Sequence, residues 1–244
     1  MINTVLKNWN EVEDAAKELL KNNLPPHPDF VKCWDTWKMV NFIKNKGLKD
    51  SHILDIGCNG SPILPFLKKI GFTHLFGCDI DLKIRKRRLL RRLQNKIYHK
   101  DPDKLINEML ENKNKFFSLS VQDLQNTKYQ DEEFDFITSL SVIEHGVNIK
   151  NYFKEMRRIL KPKGYLLTST DYWPEKIETS SDMYKTGGVD VIFDKKEIER
   201  IIDLAVEEEF RLIEPVKFEF QDKVIHWKKT DKRFTFIFFC LQKK

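Results

Sequence analysis

The stretch Ile53-Leu54-Asp55-Ile56-Gly57-Cys58-Asn59-Gly60-Ser61-Pro62 constrains this chain most. It begins as an apolar run rich in β-branched residues, which reads as a buried strand. Small and polar residues then turn the chain. Ser61 stands where a helix N-cap belongs, and Pro62 suits the first helical position. Ile63, Leu64, Phe66, Leu67 and Ile70 give the helix an apolar face, and Gly71 ends it. A strand passing into a helix through a small-residue turn brings backbone N–H groups against a bound cofactor.

Strands and helices alternate through the rest of the chain. Helices are expected over Glu11 to Lys21, from an Asp29 cap to Gly47, over Leu82 to Tyr98, over Leu105 to Leu110, after an Asn148 cap, and after the Asp194–Glu197 capping box. Pro25-Pro26-His27-Pro28 breaks the first from the second, with His27 read as a solvated loop residue. Strands are expected over Thr73 to Cys78, Phe116 to Ser120, Phe134 to Leu140 and Tyr165 to Thr170. Two more, Arg211 to Phe220 and Arg233 to Leu241, are joined by a polar loop holding His226 and Trp227. This alternation specifies a doubly wound parallel sheet. In such a sheet the ligand crevice lies outside the carboxyl ends of the strands. Asp55, Asp79, Asp123, His145 and Asp171 all fall at such ends. Asp79, at the end of its strand, stands where an acidic residue accepts hydrogen bonds from ribose hydroxyls, because a carboxylate only accepts.

Composition narrows the class. A hydrophobic fraction of 41% with 18 Phe supports a large core. No run approaches the roughly 18 apolar residues of a membrane span. The start, Met-Ile-Asn-Thr-Val-Leu-Lys, lacks a signal-peptide apolar core. Cys33, Cys58, Cys78 and Cys240 form no C-x-x-C pair and read as reduced thiols in a cytoplasmic protein. No His/Cys cluster suggests a metal. The net charge is +6, but nine Lys/Arg sit between Lys83 and Lys100 without an acid, so the remainder is net negative. The basic helix there is either a solvated face or an anion-binding surface.

The opening stretch resembles motif I of the class I S-adenosylmethionine-dependent methyltransferases, written D-x-G-x-G-x-G after a hydrophobic strand. Here the glycines map onto Gly57, Asn59 and Ser61, with Gly60 between the last two. Gly77-Cys78-Asp79-Ile80-Asp81 resembles the second motif. Phe134-Asp135-Phe136-Ile137, then Ser141-Val142-Ile143-Glu144-His145, then Leu160-Lys161-Pro162-Lys163-Gly164 follow in the family's order. The resemblance implies a Rossmann-like fold with a seven-stranded, mostly parallel sheet, an antiparallel C-terminal strand pair and N-terminal helices. It implies S-adenosylmethionine as cofactor, held by Asp55, Gly57, Cys58, Asn59, Gly60, Asp79, Ile80, Asp123, Leu124, Ser139 and Leu140. Residues 1–47 would form a helical cap or lid. Residues 48–244 would form the catalytic domain, with a substrate-side insertion at about 171–193.

For an oxygen acceptor, a base must remove a proton. His145 is the first choice because imidazole titrates near neutral pH, with Asp171 as the second and Glu144 to orient the ring. Tyr172, Trp173 and His226 are candidate substrate-wall residues. The pattern is similar to bacterial methyltransferases of surface-polysaccharide pathways, which implies a sugar or nucleotide-linked sugar as acceptor. Alternative readings are an RNA methyltransferase using the basic helix, or a cofactor-binding module without catalysis.

Overall fold

The computed structural model describes residues 2–82, 104–179, 190–228 and 230–244. The basic segment Lys83 to Lys100 and much of the expected insertion lie outside the described residues.

In chain order the elements are β1 (Thr4–Val5), α1 (Trp9–Lys21), a 3-10 turn (Phe30–Lys32), α2 (Cys33–Lys46), β2 (His52–Ile56), α3 (Ile63–Lys69) and β3 (His74–Asp79). There follow α4 (Lys104–Glu111), α5 (Lys113–Phe116), β4 (Ser118–Val121), β5 (Phe134–Leu140), α6 (Ile149–Ile159) and β6 (Leu160–Tyr172). The chain ends with α7 (Lys195–Glu207), β7 (Phe210–Leu212), β8 (Ile225–Trp227) and β9 (Lys232–Lys243).

The strands run β1-β9-β6-β5-β2-β3-β4 across the sheet, with β7 and β8 also pairing to β9. The block from β6 to β4 is parallel, and β9 runs antiparallel to every strand it meets. The sheet therefore has nine strands among the described residues rather than seven. The additions are the short strands β1 and β8. The strand expected from Arg211 to Phe220 pairs only over Phe210–Leu212. Pro215 lacks a donor, and the rest of that span, to Phe220, meets the sheet again only as a bridge between Lys217 and Thr4. His226 and Trp227 lie in β8 and not in a loop.

Period-two alternation builds the two core layers. In β9, Phe234, Phe236, Phe238 and Cys240 join the apolar cluster that contains the buried residues of α1, α2, α3 and α4. Ile237, Phe239 and Leu241 face the other cluster, with α6 and α7. The same switch separates Ile53 from Leu54 in β2. Each fully buried phenylalanine of this kind stabilises the fold by roughly 1.5–3 kcal/mol. The N-terminal residues are part of this construction. Val5 pairs with Ile237, and Trp34 of α2 packs edge-on to Phe238 at 6.5 Å.

Local signals placed most of the helices. Asn148 accepts from the Asn151 N–H at 3.1 Å to cap α6. Asp194 and Glu197 form the reciprocal capping box of α7. Helix α3 opens one residue later than expected, with Pro62 as its cap, while the Ser61 hydroxyl accepts from the Ile63 N–H at 3.2 Å. The expected strand from Phe116 begins only at Ser118, because Phe116 closes the short α5.

Candidate active site

The parallel registers align four strand ends. Ile56 lies beside Cys78 and Ser139, and Asp79 lies beside Val121. The turn after β2, the Asp79 carboxylate, the Asp123 turn and the end of β5 therefore share one edge of the sheet. Gly57 carries φ +66°, and a Cβ there would stand 2.6 Å from a Val142 methyl carbon. Only glycine fits both constraints. Gly60 has φ +111° and open space where a side chain would begin. Asn59 is tied into the turn twice: its N–H donates to the Asp79 carboxylate at 3.0 Å, and its side-chain amide donates to the Asp81 carbonyl at 2.9 Å.

The turn is also braced from below. The Lys113 ammonium donates to the Cys58 carbonyl at 2.5 Å and to the Ser61 carbonyl at 2.7 Å. Lys113 is buried at the start of α5. Asp55 lies beneath the same turn, fully enclosed, accepting from the Thr138 hydroxyl at 2.7 Å. Burial lifts its carboxyl to about 6, against the pull of Thr138, Lys113 and Ser61. The Cys58 and Ser139 side chains are likewise enclosed, so these positions present only backbone to the edge. Ile80, 81% exposed, offers an apolar surface next to Asp79. Asp123 is exposed and accepts from the Gln125 N–H at 2.9 Å, with the half-buried Leu124 beside it.

One residue past Leu140 the chain enters the wall of a cavity of about 650 Å³. Ser141, Glu144, His145 and Asp171 form one side. Trp9, Phe30 and Lys32 come from the N-terminal segment, and His226 and Trp227 come from β8. His27, expected in solvent, also lines it. Tyr172 and Trp173 do not. Asp171 faces the cavity, so strand alternation turns Tyr172 into the opposite core, where it is fully buried. Trp173 packs instead against Phe220, ring centres 4.8 Å apart.

His145 stands partly exposed on the cavity wall, its Nδ1 hydrogen-bonded to the buried Asp190 carboxylate. The carboxylate can only accept, so Nδ1 carries the hydrogen. Burial opposes a charged ring, yet Asp190, Glu144 and Asp171 outweigh it and raise the imidazole to about 9. His145 is thus an imidazolium at neutral pH. The pair stabilises the fold fully below the ordinary imidazole range, and this contribution is lost as pH rises through about 9.

The half-buried Lys32 ammonium bonds to the Ser141 hydroxyl, stands 3.4 Å from an Asp35 oxygen and lies 3.5 Å above the centre of the Phe236 ring. Burial favours its neutral form, but Asp35, Asp171, Glu144 and Asp29 hold it charged. Asp35 is fully buried and also accepts from the Ser169 hydroxyl at 3.0 Å. Glu144 accepts from the Thr170 hydroxyl at 2.9 Å.

Comparison with known proteins fits this architecture. The family described as a methyltransferase domain matches residues 32–205, well over half of the chain. The chain belongs to this methyltransferase family. Over 169 residues it is 27% identical to the mitochondrial ubiquinone biosynthesis O-methyltransferase of Dictyostelium discoideum. That alignment takes in 66% of this chain and 49% of the relative, so the chain spans about half the length of the curated protein it matches. The crystal structure of an S-adenosylmethionine dependent methyltransferase from Mesorhizobium loti superposes with TM-score 0.54 at 12% identity, over 86% of this chain and 98% of that one. The 1,6-didemethyltoxoflavin-N1-methyltransferase of Burkholderia thailandensis, solved with S-adenosylhomocysteine and 1,6-didemethyltoxoflavin bound, gives 0.56 at 9% identity, over 98% and 92%. At these identities the likeness to the solved structures establishes the fold.

Within this methyltransferase domain, sequence reasoning missed Lys32, Asp35, Lys113, Ser141 and Asp190. Ser141 was visible inside the S-V-I-E-H run. Lys32 and Asp35 stand only three residues apart, a spacing too common to single out, while Lys113 and Asp190 carried no local signal, since each meets its partner across at least one element. Among the described residues, no group of His, Cys, Asp and Glu is arranged to hold a metal ion, and no helix is long and apolar enough to cross a membrane. All four cysteines are free and buried.

Proposed function

We propose that this chain transfers a methyl group from S-adenosylmethionine to a hydroxyl of a small polar acceptor, a sugar or nucleotide-linked sugar. One observation carries the reading: His145, held by Asp190, lines a cavity that begins where β5 ends, beside the edge formed by Gly57, Asp79 and Asp123. That edge suits the cofactor. It combines the open space at Gly60, a carboxylate for the ribose hydroxyls at Asp79 and an exposed apolar side chain for the base at Ile80. Asp123 and the Leu124 N–H serve the edge of the base. When bound, the cofactor supplies a methyl group activated on a sulfonium.

The chain's own work is placement and proton removal. His145 takes the hydroxyl proton at Nε2 while Asp190 holds Nδ1. Because the raised imidazole must first be neutral, turnover climbs with pH toward about 9. Glu144 and Asp171 position the acceptor, and the rings of Trp9 and Trp227 flank it. Residues 1–47 act as the cavity's cap, and the segment at about 171–193 supplies Asp171 and Asp190. His226 contributes from the rim, where its Nε2 meets Asp231 at 2.6 Å.

The test is methyl transfer from labelled cofactor to a panel of sugar nucleotides and free sugars, read by mass. A gain of one methyl on a hydroxyl supports the reading. Transfer to none of these, with transfer to RNA instead, replaces it.

A further inference from the structure

Charge pairing around the cavity leaves a remainder. Lys32 is matched by Asp35, and His145 by Asp190. At the rim, Asp29 and Lys228 are both exposed and opposite in sign. Among the described residues, two carboxyl groups on the floor are left over. Asp171 is only 5% exposed, lines the cavity, and its side-chain oxygens have no hydrogen-bond donor in the described structure. Glu144 is 1% exposed and has a donor, Thr170, at one oxygen only. Burial first, and the neighbouring Glu144 second, lift Asp171 well above the usual carboxylate range, although Lys32 and His145 pull the other way. A buried carboxyl without a donor is costly, and a second one beside it raises the cost. Aromatic faces complete the surroundings: Trp9, Phe30 and Trp227 line the same space. Ring faces attract cations. The Phe236 face already holds Lys32.

We propose that the floor of this cavity, Asp171 with Glu144, is a subsite for a protonated amine carried by the acceptor, which points to amino-sugars and related amino-alcohols as its class. The inference rests on the cavity being the acceptor site. The ammonium donates to the Asp171 carboxylate and to the open Glu144 oxygen, and the rings enclose its substituents. A neutral acceptor of the same shape leaves one of the two carboxyl groups unmatched.

The experiment compares matched probes on the full chain saturated with S-adenosylhomocysteine, at neutral pH, where the amines are protonated and the Asp171 carboxyl is not pushed further toward its neutral form. The pairs are glucosamine against glucose, and 2-(4-hydroxyphenyl)ethylamine against the corresponding alcohol, with affinities from calorimetry. In each pair the amine is expected to bind roughly tenfold more tightly or better. In Asp171→Asn the preference is expected to collapse to near parity while S-adenosylhomocysteine affinity stays unchanged. Equal binding within both pairs, a preference for the alcohols, or no detectable binding of either amine overturns the proposal. So does an unaltered preference in Asp171→Asn. Methyl transfer to the same probes is scored separately. An amine that binds without being methylated upholds the subsite and counts against these probes as acceptors. Hydroxyl methylation without amine preference upholds the transfer and removes the subsite.

Discussion

The strand-end edge proposed for the cofactor and the cavity proposed for the acceptor adjoin at Ser141, but they are assembled in opposite ways. The edge draws on strand ends and the turns that follow them. Each of its groups is placed by a local rule: Gly57 by its positive φ, Asp79 by ending β3, Asp123 by the turn after β4. The cavity has no such continuity. Lys32 precedes α2, Asp171 sits inside β6, Asp190 precedes α7 and Trp227 belongs to β8. The edge is fixed by backbone geometry, which a fold family shares. The cavity is fixed by side chains brought together from distant segments, which are free to differ between members. On the proposed reading, reaction type belongs to the first region and acceptor choice to the second.

The sharpest way to break this division is His145→Ala. Turnover is expected to fall about 10²–10⁴-fold, the usual worth of a positioned base, with cofactor affinity unchanged. Steady-state kinetics beside calorimetry reads both, and equal losses in the two would dissolve the boundary between the regions. Asp79→Ala is the mirror case. Cofactor affinity should fall on the order of a hundredfold, as expected from losing charge-assisted hydrogen bonds of roughly 1.5–3 kcal/mol to the ribose. The thermal midpoint should change little, since Asp79 is only half-buried.

Two predictions concern residues that support the edge or the base. Gly57→Ala forces a left-handed residue into contact with Val142, at a cost of about 1–3 kcal/mol from strain, visible as a lower melting temperature. Lys113→Met leaves the Cys58 and Ser61 carbonyls without their charged donor. Cofactor affinity should weaken by roughly tenfold, with Lys113→Arg recovering part of it. A Lys113→Met protein that binds cofactor normally would show that the turn holds its own shape.

The smallest expected effect is the most specific. Asp190→Asn removes the carboxylate that raises the His145 imidazole, so the rising limb of the pH–rate profile should move from about 9 toward an ordinary imidazole, near 6.5. Turnover at neutral pH would then change only modestly, because more neutral base is offset by a looser ring. A limb that stays in place would assign it to another group.

How much of this was legible in the sequence follows the same division. The strand–turn–helix at Ile53 to Gly71, the capping residues Asn148 and Asp194, and the carboxylates at strand ends could all be read from spacing, because short-range stereochemistry decides them. Asp55 was read as an edge residue, and its packing under the turn could not be seen from the motif alone. Tyr172 and Trp173 were placed at the substrate because Asp171 was taken as lying past a strand end. In fact β6 runs on through Tyr172, and alternation sends the tyrosine the other way. Lys113 reaches the turn from 55 residues away, and Asp190 reaches His145 from 45. No periodicity in the chain encodes such a meeting.

The most direct test is a crystal structure of the full chain with S-adenosylhomocysteine. The account predicts ribose hydroxyls on Asp79, the base against Ile80 with its edge at Asp123 and Leu124, and the sulfur turned toward the cavity that holds His145. A nucleoside bound elsewhere, or none at saturating concentration, would contradict it.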